Sequence, residues 1–197
     1  YYGVDLQRIH WMASRVKREG VAEGIRIEKI EGGGDADHLL DNLLIEGKID
    51  AVIGPNLLPS ISARDPRTRR LFCDYRSEEQ RYFRKTGIFP TSHIVTLKQE
   101  FVDRNPNAPV ALLKAFRKSR DEAFSRLEGA DPQVIVYSWM AAAVAEQREL
   151  MGENYWAYNV ESNRTVLEAM TQYAYEQGLS PTRIDYMAYF HPEDPAL

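Results

Sequence analysis

Hydrophobic and polar positions alternate strictly over "IRIEKI", Ile25 to Ile30, which predicts a half-buried strand. A shorter apolar run, Ile9-His10-Trp11-Met12, predicts another. Between them Ser14 to Gly24 is polar and charged, with glycine at positions 20 and 24, and reads as a loop. After the turn "EGGGD" the period changes. Leu39, Leu40, Leu43 and Leu44 fall on one helix face, with Asp35 or Asp37 as N-cap and Gly47 just past the end. "IDAVIG", Ile49 to Gly54, reads as a short buried strand. Strand, helix and strand in this order predict a crossover unit of an α/β sheet.

Helical signals follow. Asp65-Pro66 is a cap followed by proline at the first helical position, and predicts a helix towards Phe72. Ser77 with Gln80 three residues on reads as a capping box, for a helix that stops at Gly87. From Glu100 the pattern is nearly all helical: Gln99–Arg104, Pro109–Leu127, Asp131-Pro132 to near Gly152, and Glu161 or Ser162 to Gly178, then "RIDYMAYF". The change near residue 90 predicts two parts: an α/β lobe over residues 1–90, then a hinge crossing and mainly helical part over residues 91–197. The crossing is "KTGIFPTSHIVTL", where Pro90 suits the start of a strand and His93 follows.

Composition adds bounds. The chain is 44% hydrophobic and 27% charged, an ordinary globular balance, and its net charge of −4 carries no nucleic-acid footprint. Its one cysteine, Cys73, permits no internal disulfide, and the apolar setting "LFCDY" predicts a buried thiol. The most apolar stretch, "PQVIVYSWMAAAVA", is a core-helix candidate, well short of the ~20 residues that span a bilayer. The chain opens on "YYGVDL" with neither methionine nor signal peptide, so a fragment or processed chain is expected.

In open α/β sheets ligands bind beyond the carboxyl ends of strands. Those ends are Ala13-Ser14-Arg15 and Gly54-Pro55-Asn56, and the crossing adds Thr91, Ser92 and His93. The three clusters are expected to converge on one cleft. His93 reads either as a histidine holding a hinge strand or as a proton donor or anion clamp, since imidazole titrates near neutrality. Asn56 and Ser60 could donate hydrogen bonds to a carboxylate or phenol, or supply loop polarity. Arg15 and Lys17 could pair with a carboxylate, arginine in bidentate fashion, or form a solvated loop; Arg64 is a similar case. His10 reads as a partly buried structural histidine, and His38 and His191 as uninvolved. No histidine pair has i, i+4 spacing and no cysteine pair exists, so no metal signature and no cofactor is identified. Spacing leaves open a metal site assembled from distant segments.

Four stretches, "YYGVDLQRIHW", "LLIEGKIDAVIGPNLLPS", "RRLFCDYRSEEQRYFRKTGIFPTSHIVTL" and "ELMGENYWAYNVESNRTVLEAMTQYAYEQGL", resemble the 4,5-dihydroxyphthalate decarboxylase family. "GIFPTSH" and "YWAYNVESNRTVLEA" are the specific parts, although the family is more apolar where Thr91 and Ser92 stand. The resemblance implies a two-lobed α/β fold like that of the type II periplasmic solute-binding proteins, with the N-terminal part of the first lobe absent from this chain. A chain so divided is expected to expose a sheet edge and apolar helix faces. The implied activity is cytoplasmic decarboxylation of a dihydroxylated aromatic dicarboxylate to a hydroxybenzoate and CO2 in an inter-lobe cleft, without an organic cofactor. His93 would be acid or base and Arg15 the carboxylate clamp. Asn56, Ser60, Thr91 and Ser92 would be substrate-binding. The alternative is a periplasmic solute-binding protein of an ABC-type transporter, closing on the same class of small aromatic or organic anion without chemistry. Neither reading involves nucleic acid or a membrane span, and a homo-oligomer is compatible with both.

Overall fold

The computed structural model describes residues 2–14, 24–32, 34–90, 93–129 and 137–190. Two short parallel strands, β1 (Trp11–Ala13) and β2 (Ile27–Lys29), pair with Trp11 opposite Ile27 and Ala13 opposite Lys29. The Ile30 N–H extends this ladder to the Ala13 carbonyl at 2.9 Å. The predicted alternation thus marks a true strand, shortened to its centre. His10 meets Glu28 across the pair at 2.9 Å, on an exposed face. It is a solvated cross-strand partner, not the partly buried histidine the pattern predicts.

Helix α1 (Ala36–Ile45) begins as expected: the Asp35 carboxylate accepts from the Asp37 N–H at 3.2 Å, and Gly47 ends it at φ 69°. The third predicted strand, Ile49–Gly54, is absent among the described residues. Lys48 N–H still folds back to Leu43 O at 2.9 Å, and the chain then runs unpaired with Ile53 84% exposed. A hydrophobic run becomes a strand only where another strand takes up its backbone groups, and none among the described residues does so here. Helix α2 (Pro59–Ser62) follows, started by proline at its first position. It has only four residues, too few to show a period. The expected helix at Asp65-Pro66 is instead a turn, because the Asp65 carboxylate accepts from the Arg67 N–H at 2.9 Å. Helix α3 (Tyr75–Thr86) starts before Ser77, and its first turn is capped by Asp74, which accepts from the Ser77 N–H at 3.1 Å. Hydrogen bonds from Ser77 hold the Asp74 carboxyl below the usual range. Cys73 is exposed, contrary to the buried thiol its apolar neighbours suggest, because Leu71 and Phe72 are themselves exposed.

The remaining helices are α4 (Gln99–Arg104), α5 (Ala108–Glu128), α6 (Met140–Met151) and α7 (Arg164–Glu176). The part of "PQVIVYSWMAAAVA" before Tyr137 lies outside the described residues, and Trp139 at the head of α6 is 71% exposed. An ion pair between Arg148 and Glu128 joins α6 to α5. The aromatic loop "YWAYN" lies along α5. Tyr155 stacks on Phe124 with ring centroids 4.8 Å apart, and Tyr158 on Phe116 at 5.9 Å. Between them Arg120 donates to Asn154 Oδ1 at 3.1 Å and the Trp156 carbonyl at 3.2 Å.

The fold is mixed α/β, about half helical with one small sheet. It divides into two units, Tyr1–Glu79 with Gln172–Ile184, and Gln80–Thr171 with Asp185–Leu197. The sheet, α1 and α2 belong to the first, and α4, α5 and α6 to the second. Ile30 and Leu167 are the buried hydrophobic residues among those described. On the helices, Phe101, Met170 and Tyr173 are among the exposed large side chains. No described helix is long and apolar enough to cross a membrane.

Candidate functional site

Two aspartates one turn apart on α1 fasten the segment that follows it. Asn56 Nδ2 donates to Asp37 Oδ2 at 2.7 Å. One turn on, Asp41 accepts twice from Ser60, from its N–H at 2.9 Å and from its hydroxyl at 2.5 Å. Asp41 is 4% and Ser60 5% exposed. A carboxylate tolerates such burial when its oxygens are bonded, and here both are. Thr68 Oγ1 donates to Ser60 Oγ at 2.9 Å, tying the far end of the segment to the same point. Residues 56–68 are therefore a strap, held by Asp37 at one place and by Asp41 at another.

α2 lies within this strap, and its exit is unusual. Arg64 N–H donates to Ile61 O at 3.1 Å and Asp65 N–H to Ser60 O at 2.9 Å, the paired bonds of a Schellman helix end. That motif needs a left-handed residue, and Arg64 has φ 56°. A side chain with a Cβ adopts this conformation at a cost of about 1 kcal/mol. Arg64 is exposed, and no described residue pairs with its guanidinium. The neighbouring acid is already engaged: Asp65 takes Arg67 Nε at 2.9 Å and Nη2 at 2.6 Å. The Arg67 hydrogen bond is the largest cause holding the Asp65 carboxyl down at about 2. Arg70 lies 4.4 Å over the Tyr75 ring, a cation–π contact.

Of the residues expected to bind substrate, the structure thus brings Asn56 and Ser60 onto one strap. Ser60 is committed there to Asp41 and Thr68, whereas Asn56 is exposed and its Oδ1 has no partner among the described residues. Arg15, Thr91 and Ser92 lie outside the described residues. His93 belongs to the second unit, in an exposed stretch without regular secondary structure, and the strand expected to start at Pro90 is absent among the described residues; His93 has no hydrogen-bond partner among them. The chain leading to it is ordered by other contacts. Thr86 Oγ1 donates to Tyr82 O at 2.8 Å and accepts from the Ile88 N–H at 3.1 Å. Phe89 meets Trp156 edge-on, with centroids 6.0 Å apart. Among the described residues no group of three or more His, Cys, Asp or Glu side chains could hold a metal ion.

Sequence reasoning missed Asp41, the residue on which the strap depends. No periodic signal was present: Asp41 falls outside the face of Leu39, Leu40, Leu43 and Leu44, and its burial depends on Ser60. Sequence reasoning placed Arg64 above Arg67, Arg69 and Arg70 but behind Arg15, and could not foresee its left-handed backbone, which is set by the helix end.

No protein-family model matches the chain. The chain is similar to 4,5-dihydroxyphthalate decarboxylase from Comamonas testosteroni, with 28% identity over 200 residues, covering 97% of this chain and 59% of that protein. It therefore spans about three fifths of the length of the curated relative it matches.

Proposed function

We propose that this chain belongs to the 4,5-dihydroxyphthalate decarboxylase family and forms part of an enzyme that converts a dihydroxylated aromatic dicarboxylate into a hydroxybenzoate and CO2. The observation that carries the reading is the 28% identity to a decarboxylase, sustained over 97% of the chain. The proposal includes a two-lobed fold of the type II binding-protein kind, with substrate between the lobes.

In 4,5-dihydroxyphthalate each carboxylate stands para to a hydroxyl. Deprotonating that phenol raises electron density on the ring carbon that carries the carboxylate. Adding a proton there makes the carbon tetrahedral. Loss of CO2 then returns the electrons of the broken C–C bond to the ring, and the added proton remains as the new C–H. The chemistry needs a base at the phenol, an acid at the ring carbon, a cation for the carboxylate that stays, and a dry place for the one that leaves. His93 is the proposed acid or base. It is exposed and without a hydrogen-bond partner among the described residues, so its ring nitrogens are available for proton transfer. Arg15 is the proposed carboxylate clamp, and Asn56 and Ser92 hydrogen-bond partners, with Thr91 beside them. Ser60 contributes by fixing the strap that carries Asn56.

Incubating the full-length protein with 4,5-dihydroxyphthalate tests the reading directly. Release of CO2 together with protocatechuate is the expected result. Recovery of unchanged substrate would overturn it.

A further inference from the structure

Four helices in this chain are followed by a glycine at positive φ: Gly47 after α1, Gly87 after α3, Gly152 after α6 and Gly178 after α7. α2 is followed by Arg64 at φ 56°, the non-glycine residue at positive φ among those described. The two hydrogen bonds that close this helix end come from backbone N–H groups, so glycine would make them equally well and without strain. The helix end itself has no use for a guanidinium. Nor does the local electrostatics, because Asp65 is taken by Arg67 and no described residue pairs with Arg64. Meanwhile the backbone that carries Arg64 is anchored on both sides, since Ser60 is bonded to buried Asp41 and Thr68 is bonded in turn to Ser60. An exposed cation with no partner among the described residues is thus presented from an anchored base at an energetic cost.

We propose that Arg64 is an anion-binding residue that receives a carboxylate of the aromatic dicarboxylate substrate. The planar guanidinium matches a carboxylate through two parallel N–H···O bonds, and an anchored backbone lowers the ordering cost of making them. This inference rests on the proposed decarboxylase reading for its substrate class. It adds a second carboxylate-binding arginine, on the strap that also carries Asn56, to the one expected at Arg15.

The test compares wild-type full-length protein with Arg64→Gly and Arg64→Lys, using phthalate as a non-reacting probe and 4,5-dihydroxyphthalate as substrate. Arg64→Gly relieves the left-handed strain, so its Tm is expected to rise by about 2–4 °C. Its phthalate affinity is expected to fall about 10–100-fold, with a matching rise in KM and little change in kcat. Arg64→Lys is expected to recover part of the affinity with no gain in Tm. Opposite movement of stability and affinity is the signature that a purely structural arginine would not produce. Phthalate binding unchanged in Arg64→Gly, or absent from the wild type, would overturn the inference. Arg64-dependent phthalate binding without turnover would leave it standing while removing the decarboxylase reading. Turnover with an unchanged KM in Arg64→Gly would do the reverse.

Discussion

The strap at residues 56–68 and the stretch at His93 are opposite solutions to holding a polar side chain. In the strap, Ser60 is buried, accepts from Thr68, and gives both its N–H and its hydroxyl to Asp41. At His93 the chain is irregular and exposed, and no described residue holds the ring. The first arrangement fixes a backbone and consumes the polar groups that do the fixing. The second leaves an imidazole with no partner among the described residues. A group that must move a proton belongs to the second kind, and a group that must hold geometry belongs to the first.

Mutations should separate the two regions cleanly. The largest effect is expected at His93→Ala, where turnover of 4,5-dihydroxyphthalate should fall by about 10²–10⁴-fold while stability stays within about 0.5 kcal/mol. Full turnover in that variant would mean the imidazole moves no proton. Asp41→Ala should do the reverse in kind. It strands a buried N–H and hydroxyl of Ser60, and denaturant unfolding should show a loss of about 3 kcal/mol. A loss below about 0.5 kcal/mol would mean that the strap is not held there.

The smallest effect concerns the exposed Asp65–Arg67 pair inside the strap. The Asp65 carboxyl sits at about 2, below its ordinary 3.8, so the folded state favours its charged form. Its contribution to stability is complete above the ordinary value and disappears as pH falls from there through about 2. The stability difference between wild type and Asp65→Asn should therefore be constant above about pH 5 and shrink on acidification. A difference that stays flat down to the acid limit would show that Arg67 does not hold Asp65.

Much of the helical architecture was legible, and the reason is local. α1 follows from apolar spacing, an Asp35 cap and a Gly47 stop, and α7 from its Gly178 stop, signals that need no distant partner. Ile49–Gly54 failed as a strand because strand formation depends on a neighbour that the run itself cannot specify. Asp65-Pro66 failed as a helix start because the same carboxylate that could cap a helix could also close a turn with Arg67. Within the candidate site, Asn56 and Ser60 were readable as polar residues in a loop. That Ser60 would be consumed by Asp41, nineteen positions back, was not.

The fastened aromatic loop has an optical consequence. Arg120 grips Trp156 by its backbone carbonyl, while the indole rests against Phe89, four residues before His93. Backbone and ring are thus held by different parts of the second unit. In this 197-residue chain with Trp11 and Trp139 replaced by phenylalanine, Trp156 is the indole left, and its fluorescence would report on the approach to His93 with no label attached.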